Sequence, residues 1–425
     1  MKLELVTFKR MFLGMSLFYY MGFLNFVTSF LGSRGDDVFA ANASGSLSNQ
    51  ILGIILLAMC LILIFQARIV SLNSFARQFF LWGLLIFWVF LSVSWSYAPA
   101  VTFRRGIAFT ILVLTAFCLV QIFTPKSLLR AFVIAVLLAA VIGLIEAVIS
   151  PSSAFVSSGI RAGAFTGMYF DKNGGARVYA YALLLLFGLG FYKQKWGMYG
   201  FLILSLCLLM TRSATATVLV VAGITMLFVF KAFKGKNATI NFLRFGLLAI
   251  LSIICVYALM LAYEFILSLL GRDPGLTNRT IIWELLDKYI MEEFFFGYGF
   301  GAFWASDAVS GFMERWGFIG NAHSGYYEVM LNIGAIGFII LAGIMLFSFF
   351  RLIQSFIFDR DISLSTTLFV ILILQAVVNY IGFIILNHNS VDMFLYLICF
   401  FISMKQHTNK NQSSIKSYIR KSVYE

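Results

Sequence analysis

The stretch that decides the fold is residues 128–149, LLRAFVIAVLLAAVIGLIEAVI, where Arg130 and Glu146 are the charged side chains. An α-helix rises about 1.5 Å per residue, so a run of this length crosses the roughly 30 Å hydrocarbon core of a bilayer. Similar runs recur along the chain and predict an all-α, polytopic integral membrane protein with about 12 transmembrane helices. The predicted spans lie near residues 11–31, 50–66, 79–95, 106–123, 128–149, 176–192, 197–211, 214–233, 242–270, 326–350, 364–386 and 391–404.

The composition excludes a soluble globule. The 425 residues are 61% apolar, 17% aromatic and 12% charged, with a mean hydropathy of +0.94. This leaves too few polar side chains to cover a surface in water. Helices that satisfy their own backbone hydrogen bonds fit these long runs better than the short alternating strands of a barrel.

Residues 1–404 are predicted to form a single transmembrane domain, followed by a basic cytoplasmic tail over residues 405–425. Ala41-Asn42-Ala43 resembles a signal-peptidase site. The apolar stretch before it is longer than an ordinary signal sequence, so we expect it to be kept as the first span.

The basic residues behind the net charge of +13 are distributed unevenly between the two predicted sides of the membrane. Most of the 31 Lys and Arg residues fall in segments that alternate onto one side of the spans. The positive-inside rule makes that side cytoplasmic and places both termini there. The charge therefore orients the protein in its membrane and does not indicate a nucleic-acid partner.

With this orientation the two longest polar stretches, about 150–175 and 271–325, lie outside. The second lies between the ninth and tenth spans. Within it, Asn278 is a candidate N-cap for a helix from Arg279 to about Met291. Its apolar face is expected to lie on the membrane surface.

Outer arginines are unexpected under the positive-inside rule. A guanidinium offers a planar, permanently charged fork that suits phosphate oxygens, so a diphosphate on the outer leaflet is a fitting ligand. Alternatively, each arginine pairs with a loop carboxylate or a lipid headgroup. The set comprises Arg104, Arg105, Arg161, Arg177, Arg212, Arg272 and Arg279.

Three histidines are present, and His323 stands at the outer mouth of the tenth span. A base with a near-neutral pKa is needed if a hydroxyl must lose its proton; a hydrogen-bonded interfacial histidine is the alternative. His388, in a short outer turn, is the competing candidate, and His407 lies in the tail. The five cysteines fall in apolar runs and predict neither a disulfide nor a metal site.

Beyond these single residues, the chain resembles the bacterial O-antigen ligase and Wzy-type O-antigen and exopolysaccharide polymerase family over roughly residues 90–350. The resemblance consists of dispersed signatures. They are Ser94-Trp95-Ser96 with Arg104-Arg105, Arg161–Phe165 leading to Asp171–Gly175, Arg212-Ser213-Ala214-Thr215, Asn278–Trp283, Gly297–Gly301 and Ala322–Glu328.

The resemblance implies a glycosyltransferase that needs no metal or other cofactor and takes a glycan from undecaprenyl diphosphate on the periplasmic face. The family's catalytic histidine maps onto His323, and its diphosphate-binding arginines map onto Arg161 and Arg279. Arg212 matches a recurrent family position. Two departures are Asp171-Lys172, where many relatives have a histidine before the asparagine, and Arg272, which has no clear counterpart.

Three functions remain open from the sequence. A polysaccharide polymerase, our preferred prediction, transfers the undecaprenyl-diphosphate-linked oligosaccharide to the sugar hydroxyl of another repeat unit, with inversion. An O-antigen ligase transfers it to lipid A-core or protein. A non-enzymatic transporter or flippase is disfavoured, because the candidate residues cluster outside rather than near the bilayer midplane. The partners expected are this donor, a glycan acceptor and the lipid bilayer. A chain-length regulator is a further candidate partner.

Overall fold

The computed structural model describes residues 2–31, 46–157, 162–169, 171–233, 235, 237–248, 250–251, 254, 279–317, 319–358, 362–382, 384–388 and 390–405. The helices in these ranges are α1 Lys2–Tyr20, α2 Phe23–Leu31, α3 Leu47–Leu61, α4 Leu72–Leu91, α5 Pro99–Ile122, α6 Pro125–Ile149, α7 Lys172–Gly188, α8 Lys195–Met210, α9 Ala214–Phe233, α10 Ala238–Leu248, α11 Arg279–Glu292, α12 Ser310–Trp316, α13 Gly325–Phe358, α14 Ile362–Val378 and α15, residues 391–405.

The predicted all-helical membrane architecture is confirmed at this level. Six helices of the described part are long and apolar enough to cross a bilayer, with α3 and α4 counted together with the short helical turns that follow them. Three shorter apolar helices include α8 and α10. The figure of about twelve spans stays a prediction, and most of the predicted span 242–270 lies outside the described residues, as do Ala41-Asn42-Ala43 and the tail from 406.

The last helix forms the centre of the bundle. Every side chain from 391 through 404 is buried. Phe394 stacks on Tyr20 of α1, and Tyr396 meets Trp82 of α4 edge-on. The whole circumference of α15 contacts protein, and its side chains other than Asp392, Ser403 and Lys405 are apolar or aromatic, as expected for a helix enclosed by others.

Helix α13 is broken where the outer loop enters the bundle. Gly334 has φ +63°, a left-handed conformation that costs glycine little. The backbone groups freed by the break bond to the segment Phe294–Tyr298: Ala335 N–H donates to Phe294 O at 2.8 Å, and Tyr298 N–H donates to Leu331 O at 2.8 Å. The indole of Trp88 donates to Ile333 O at 3.0 Å. A break at membrane depth is tolerated because protein donors and acceptors satisfy it.

The predicted outer helix exists as α11, but its apolar face contacts protein. Ile282, Trp283 and Leu286 are buried in a second apolar cluster. Most neighbours in this cluster come from the same loop and include Phe303, Trp304 and Phe312, while Tyr327 and Leu331 come from α13. The expectation that this face lies on the membrane surface is therefore wrong, since the loop supplies its own small core.

Candidate active site

His323 lies in a tight turn just before α13, and its backbone is held from several sides. Its φ is +53°, uncommon for a residue with a side chain, and its N–H donates to Asn321 Oδ1 at 2.9 Å. The residue before it, Ala322, donates its N–H to Glu328 Oε1. The indole of Trp283 donates to Ala322 O at 2.9 Å. These bonds fix the direction in which the partly buried imidazole leaves the chain.

Glu328, one turn into α13, organises the surroundings of His323. Its side chain is 2% exposed, and both carboxylate oxygens accept hydrogen bonds. Besides Ala322 N–H, Oε1 accepts from the indole of Trp304 at 2.8 Å and Oε2 accepts from Asn332 Nδ2 at 3.2 Å. A buried carboxylate with this many donors is stabilised by them rather than left uncompensated.

The glycine-rich segment Gly297–Gly301 is tied to the same network. Asn332 Oδ1 accepts from Gly301 N–H at 2.7 Å, and Arg105 donates to Gly301 O at 2.6 Å. Gly301 has φ +74°, and a Cβ on it would collide with the Arg105 side chain. One predicted outer arginine, Arg105, therefore positions this loop.

Arg212 belongs to a second group of residues at the turn between α8 and α9. It adopts φ +51°, and its exposed guanidinium donates to Ala162 O at 3.4 Å. Ala162 directly follows Arg161 in the sequence, so the loop that carries Arg161 meets the turn that carries Arg212. Next to it, Ser213 donates to Asn173 Oδ1 at 3.3 Å, which closes the turn onto the start of α7.

The departure at Asp171-Lys172 has a local explanation. Asp171 is the N-cap of α7: its carboxylate accepts from Asn173 N–H at 3.1 Å and from Gly174 N–H at 2.8 Å. Aspartate is a strong N-cap because its oxygens satisfy the free N–H groups of the first turn. The helix start that carries Asn173 is thus held without a histidine at this place.

Of the other predicted arginines, Arg104 lies beside Arg105 in α5, near His388, and the remaining four divide into three cases. Arg279 is the first residue of α11, one helical turn before Trp283 and therefore on the face that holds the His323 turn. Arg177 is paired with Asp392 in two contacts, at 3.2 and 3.3 Å, so for this residue the alternative of a carboxylate partner is correct. Arg161 and Arg272 lie outside the described residues.

The segment between α14 and α15 lies between the His323 turn and the Arg177–Asp392 pair. Gly325 N–H, two residues after His323, donates to Gly382 O at 3.0 Å and to Asn379 O at 2.7 Å. A Cβ on Gly382 would lie 3.7 Å from the Arg177 guanidinium. The His323 turn and the Arg177–Asp392 pair therefore meet at Gly382.

His388, the competing candidate base, lies on the same segment. Its ring is 6.4 Å from that of Phe300, centre to centre. Burial and the nearby guanidinium groups of Arg105 and Arg104 lower the pKa of His388 from 6.5 to about 3. A group with so low a pKa is a poor proton acceptor near neutral pH, which favours His323.

Several residues of this site were not singled out from the sequence. Trp283 and Glu328 stood inside the quoted motifs, but their hydrogen bonds to Ala322 could not be inferred from spacing. Nothing in the sequence marked Asn332 or Trp304 as a site residue apart from their position in or next to the outer loop. Among the described residues, no group of three His, Cys, Asp or Glu side chains is placed to share a metal ion.

Comparison with known proteins finds a family model that matches part of the chain. Residues 199–342 match the family model described as O-antigen ligase. This range includes Arg212, Arg279 and His323, whereas Arg161 precedes it. The chain is also similar to the exopolysaccharide production protein ExoQ of Rhizobium meliloti (strain 1021), with 24% identity over 310 residues that cover 68% of this chain and 69% of ExoQ. The resemblance predicted from the motifs is confirmed.

Proposed function

We propose that this chain is a polysaccharide polymerase of the bacterial inner membrane. The proposal starts from the match of residues 199–342 to the O-antigen ligase family model. The polymerase transfers a glycan from undecaprenyl diphosphate to the sugar hydroxyl of another repeat unit, on the periplasmic face. The observation that carries the proposal is the His323 turn, whose backbone is held by Glu328, Trp283 and Asn321 in the matched region. Such fixation suits a side chain that must meet a hydroxyl in one orientation.

The proposed reaction is a single displacement. The acceptor hydroxyl oxygen forms a bond to the anomeric carbon while the bond from that carbon to the diphosphate oxygen breaks, and the bonding electron pair leaves with the diphosphate. His323 takes the hydroxyl proton as attack proceeds, a contribution of typically ~10²–10⁴ in rate. Attack from the face opposite the leaving group inverts the anomeric configuration.

The arginines neutralise the charge that gathers on the departing diphosphate. Arg161, Arg212 and Arg279 are proposed for this role because guanidinium groups bind phosphate oxygens with two parallel donors. Two observations support the grouping. The Arg212 guanidinium donates to Ala162 O, next to Arg161 in the sequence, and Arg279 lies one helical turn before Trp283, whose indole holds the His323 turn.

Two observations bear on the acceptor. The name of the similar Rhizobium protein refers to exopolysaccharide production, which favours the polymerase. The description of the matching family model favours the second candidate, an O-antigen ligase that transfers the glycan to lipid A-core or protein. A deletion strain separates them: loss of a polymerase leaves single repeats on the surface lipid, whereas loss of a ligase leaves unmodified core.

The experiment that tests the enzyme class uses purified protein with an undecaprenyl-diphosphate-linked oligosaccharide. We expect new glycosidic bonds between repeat units and release of undecaprenyl diphosphate. Arg212→Lys and Arg279→Lys keep the positive charge but lose the two parallel N–H groups of the guanidinium. Each should raise the KM for the lipid-linked glycan on the order of tenfold. Arg315→Lys, at an exposed arginine of the same loop, is the matched control. Movement of the lipid without bond formation would instead indicate a transporter.

A further inference from the structure

A basic recess lies at the end of the bundle where α6 begins, on the side that the charge bias makes cytoplasmic. It is a cavity of about 460 Å³ between α6 and the turn that joins α7 to α8. Lys126 and Arg130 stand on one side, Gln194 stands on the other, and Ile134, Leu189 and Phe191 add apolar walls. We call this cavity the α6 recess. Its volume falls in the range of small-ligand sites.

Arg130 is held in place by an aromatic platform. Its guanidinium carbon lies 5.2 Å from the ring centre of Phe191 and 5.6 Å from that of Trp196, distances typical of cation–π contacts. One guanidinium nitrogen donates to Gln194 Oε1 at 2.9 Å, and the same oxygen accepts from the Trp196 indole at 2.7 Å. Arginine has five N–H donors, so most of the fork stays available to an anion.

The two chain segments that form the α6 recess carry positive charge. Residues 122–134 and 188–200, which form its two sides, contain Lys126, Arg130, Lys193 and Lys195 and no Asp or Glu. Basic pockets between transmembrane helices on the cytoplasmic side are suited to anionic lipid headgroups.

An apolar stripe continues from the recess along α6. Ile134, Leu138 and Val141 are 49, 53 and 37% exposed, and their spacing places them on one face of the helix. This face runs from the basic residues toward the middle of the bilayer. A ligand that fits both parts carries a negative head and a hydrocarbon tail.

We propose that the α6 recess binds an anionic glycerophospholipid of the cytoplasmic leaflet. The lipid phosphate lies between Lys126 and Arg130, and an acyl chain follows Ile134, Leu138 and Val141. Phosphatidylglycerol and cardiolipin have this chemistry. The site is separate from His323 and does not depend on the proposed glycan transfer.

Native mass spectrometry of the purified full chain, with defined lipids added, tests the site. We expect phosphatidylglycerol to bind more tightly than phosphatidylethanolamine, which has no net charge, and inorganic phosphate to bind only weakly. The double variant Lys126→Gln/Arg130→Gln should lose about 30-fold in affinity for phosphatidylglycerol. Arg77→Gln, at an exposed arginine on the same predicted side, should keep it.

Equal binding of the two lipids by the wild-type protein would overturn the proposal, as would an unchanged preference in the double variant. Inorganic phosphate that binds as tightly as phosphatidylglycerol would assign the site to a free anion instead. If the double variant fails to fold, Lys126→Gln carries the test, since Lys126 is exposed. A loss of about fivefold is expected from this single change, and no loss would contradict the site.

Discussion

At the scale of single residues, Glu328 holds the backbone next to His323 through Ala322 and holds Asn332 and Trp304 at the same time. Asn332 and Arg105 in turn bind the two sides of Gly301. In the proposed reaction, we therefore expect Glu328 to be a positioning residue that acts through the turn that carries His323.

Glu328→Gln should lower kcat by about 100-fold, since a misplaced reacting group can cost that much. The glutamine amide replaces one acceptor oxygen by a donor, so one of the three N–H donors that face the carboxylate loses its partner. The measurement is steady-state glycan transfer with the purified variant, and the KM for lipid-linked donor should change far less than kcat.

The matched control is Glu314→Gln, at an exposed glutamate of the loop that precedes α13, which should leave kcat unchanged. Equal loss of kcat and of thermal stability in both variants would show that Glu328 has only a general structural role. Unchanged kcat in Glu328→Gln would remove the positioning role altogether.

His388 predicts a pH dependence of stability. Its pKa is about 3 in the folded protein against an ordinary 6.5, so below about pH 6.5 the unfolded chain binds a proton that the folded chain does not. Stability should therefore fall as the pH is lowered from 6.5 toward 3. His388→Gln should weaken this fall in the thermal midpoint between pH 7.5 and 5, while keeping glycan transfer.

His407→Gln, in the tail, is the control for the His388 variant and should leave the pH dependence as in the wild type. If His388→Gln abolished transfer while His323→Ala did not, the assignment of the base would be reversed.

At the scale of elements, the break in α13 is what lets the outer loop enter the bundle. Gly334→Ala should destabilise the protein by about 2 kcal/mol or more, because alanine at positive φ is strained. A Cβ there would also collide with the backbone of Phe295. Thermal unfolding in detergent measures the effect.

Gly343→Ala lies in the same helix, where a Cβ meets nothing within 4 Å. It should change stability by no more than about 1 kcal/mol, in the favourable direction. If both alanine variants behaved alike, the break at Gly334 would not stabilise the docking of the loop.

Helix positions were predictable because a bilayer-crossing segment needs about twenty apolar residues. The predicted span 128–149 falls inside α6, Pro125–Ile149, and the outer helix predicted over Arg279 to about Met291 corresponds to α11, Arg279–Glu292. Its predicted N-cap, Asn278, lies outside the described residues. The break at Gly334 was not predictable, because its bonds come from Trp88 and from the loop before it, both distant in sequence. Likewise, the sequence of an apolar helix face does not distinguish a face covered by lipid from one covered by a neighbouring loop.

The site was predictable only in part for the same reason. His323 and the outer arginines could be proposed from residue type and predicted side of the membrane. The sequence alone could not show that Arg177 pairs with Asp392 whereas Arg212 remains exposed, because both facts depend on the fold. A lone carboxylate such as Glu328 at the start of an apolar helix gives no sequence sign that it binds backbone.

At the scale of the whole molecule, the charge bias predicts that the loop with His323 faces the periplasm and the turn before α8 faces the cytoplasm. Cysteine labelling tests this orientation. Cys60, Cys118, Cys207 and Cys399 are buried, and Cys255 is replaced by serine to remove the remaining thiol. Asp307→Cys should react with an impermeant maleimide in spheroplasts, and Lys193→Cys should react only after lysis.

Both substituted positions are exposed, so a lack of labelling has a topological cause. The opposite pattern, with Lys193→Cys labelled in intact spheroplasts and Asp307→Cys protected, would place His323 in the cytoplasm and contradict a reaction on the periplasmic face.

The most direct test of the central claim is glycan transfer by purified His323→Ala with the undecaprenyl-diphosphate-linked donor. The account predicts a loss of roughly 10²–10⁴ in rate, with unaltered donor binding and a helical content equal to that of the wild type. Transfer at the wild-type rate by this variant would contradict the assignment of His323 as the base that deprotonates the acceptor.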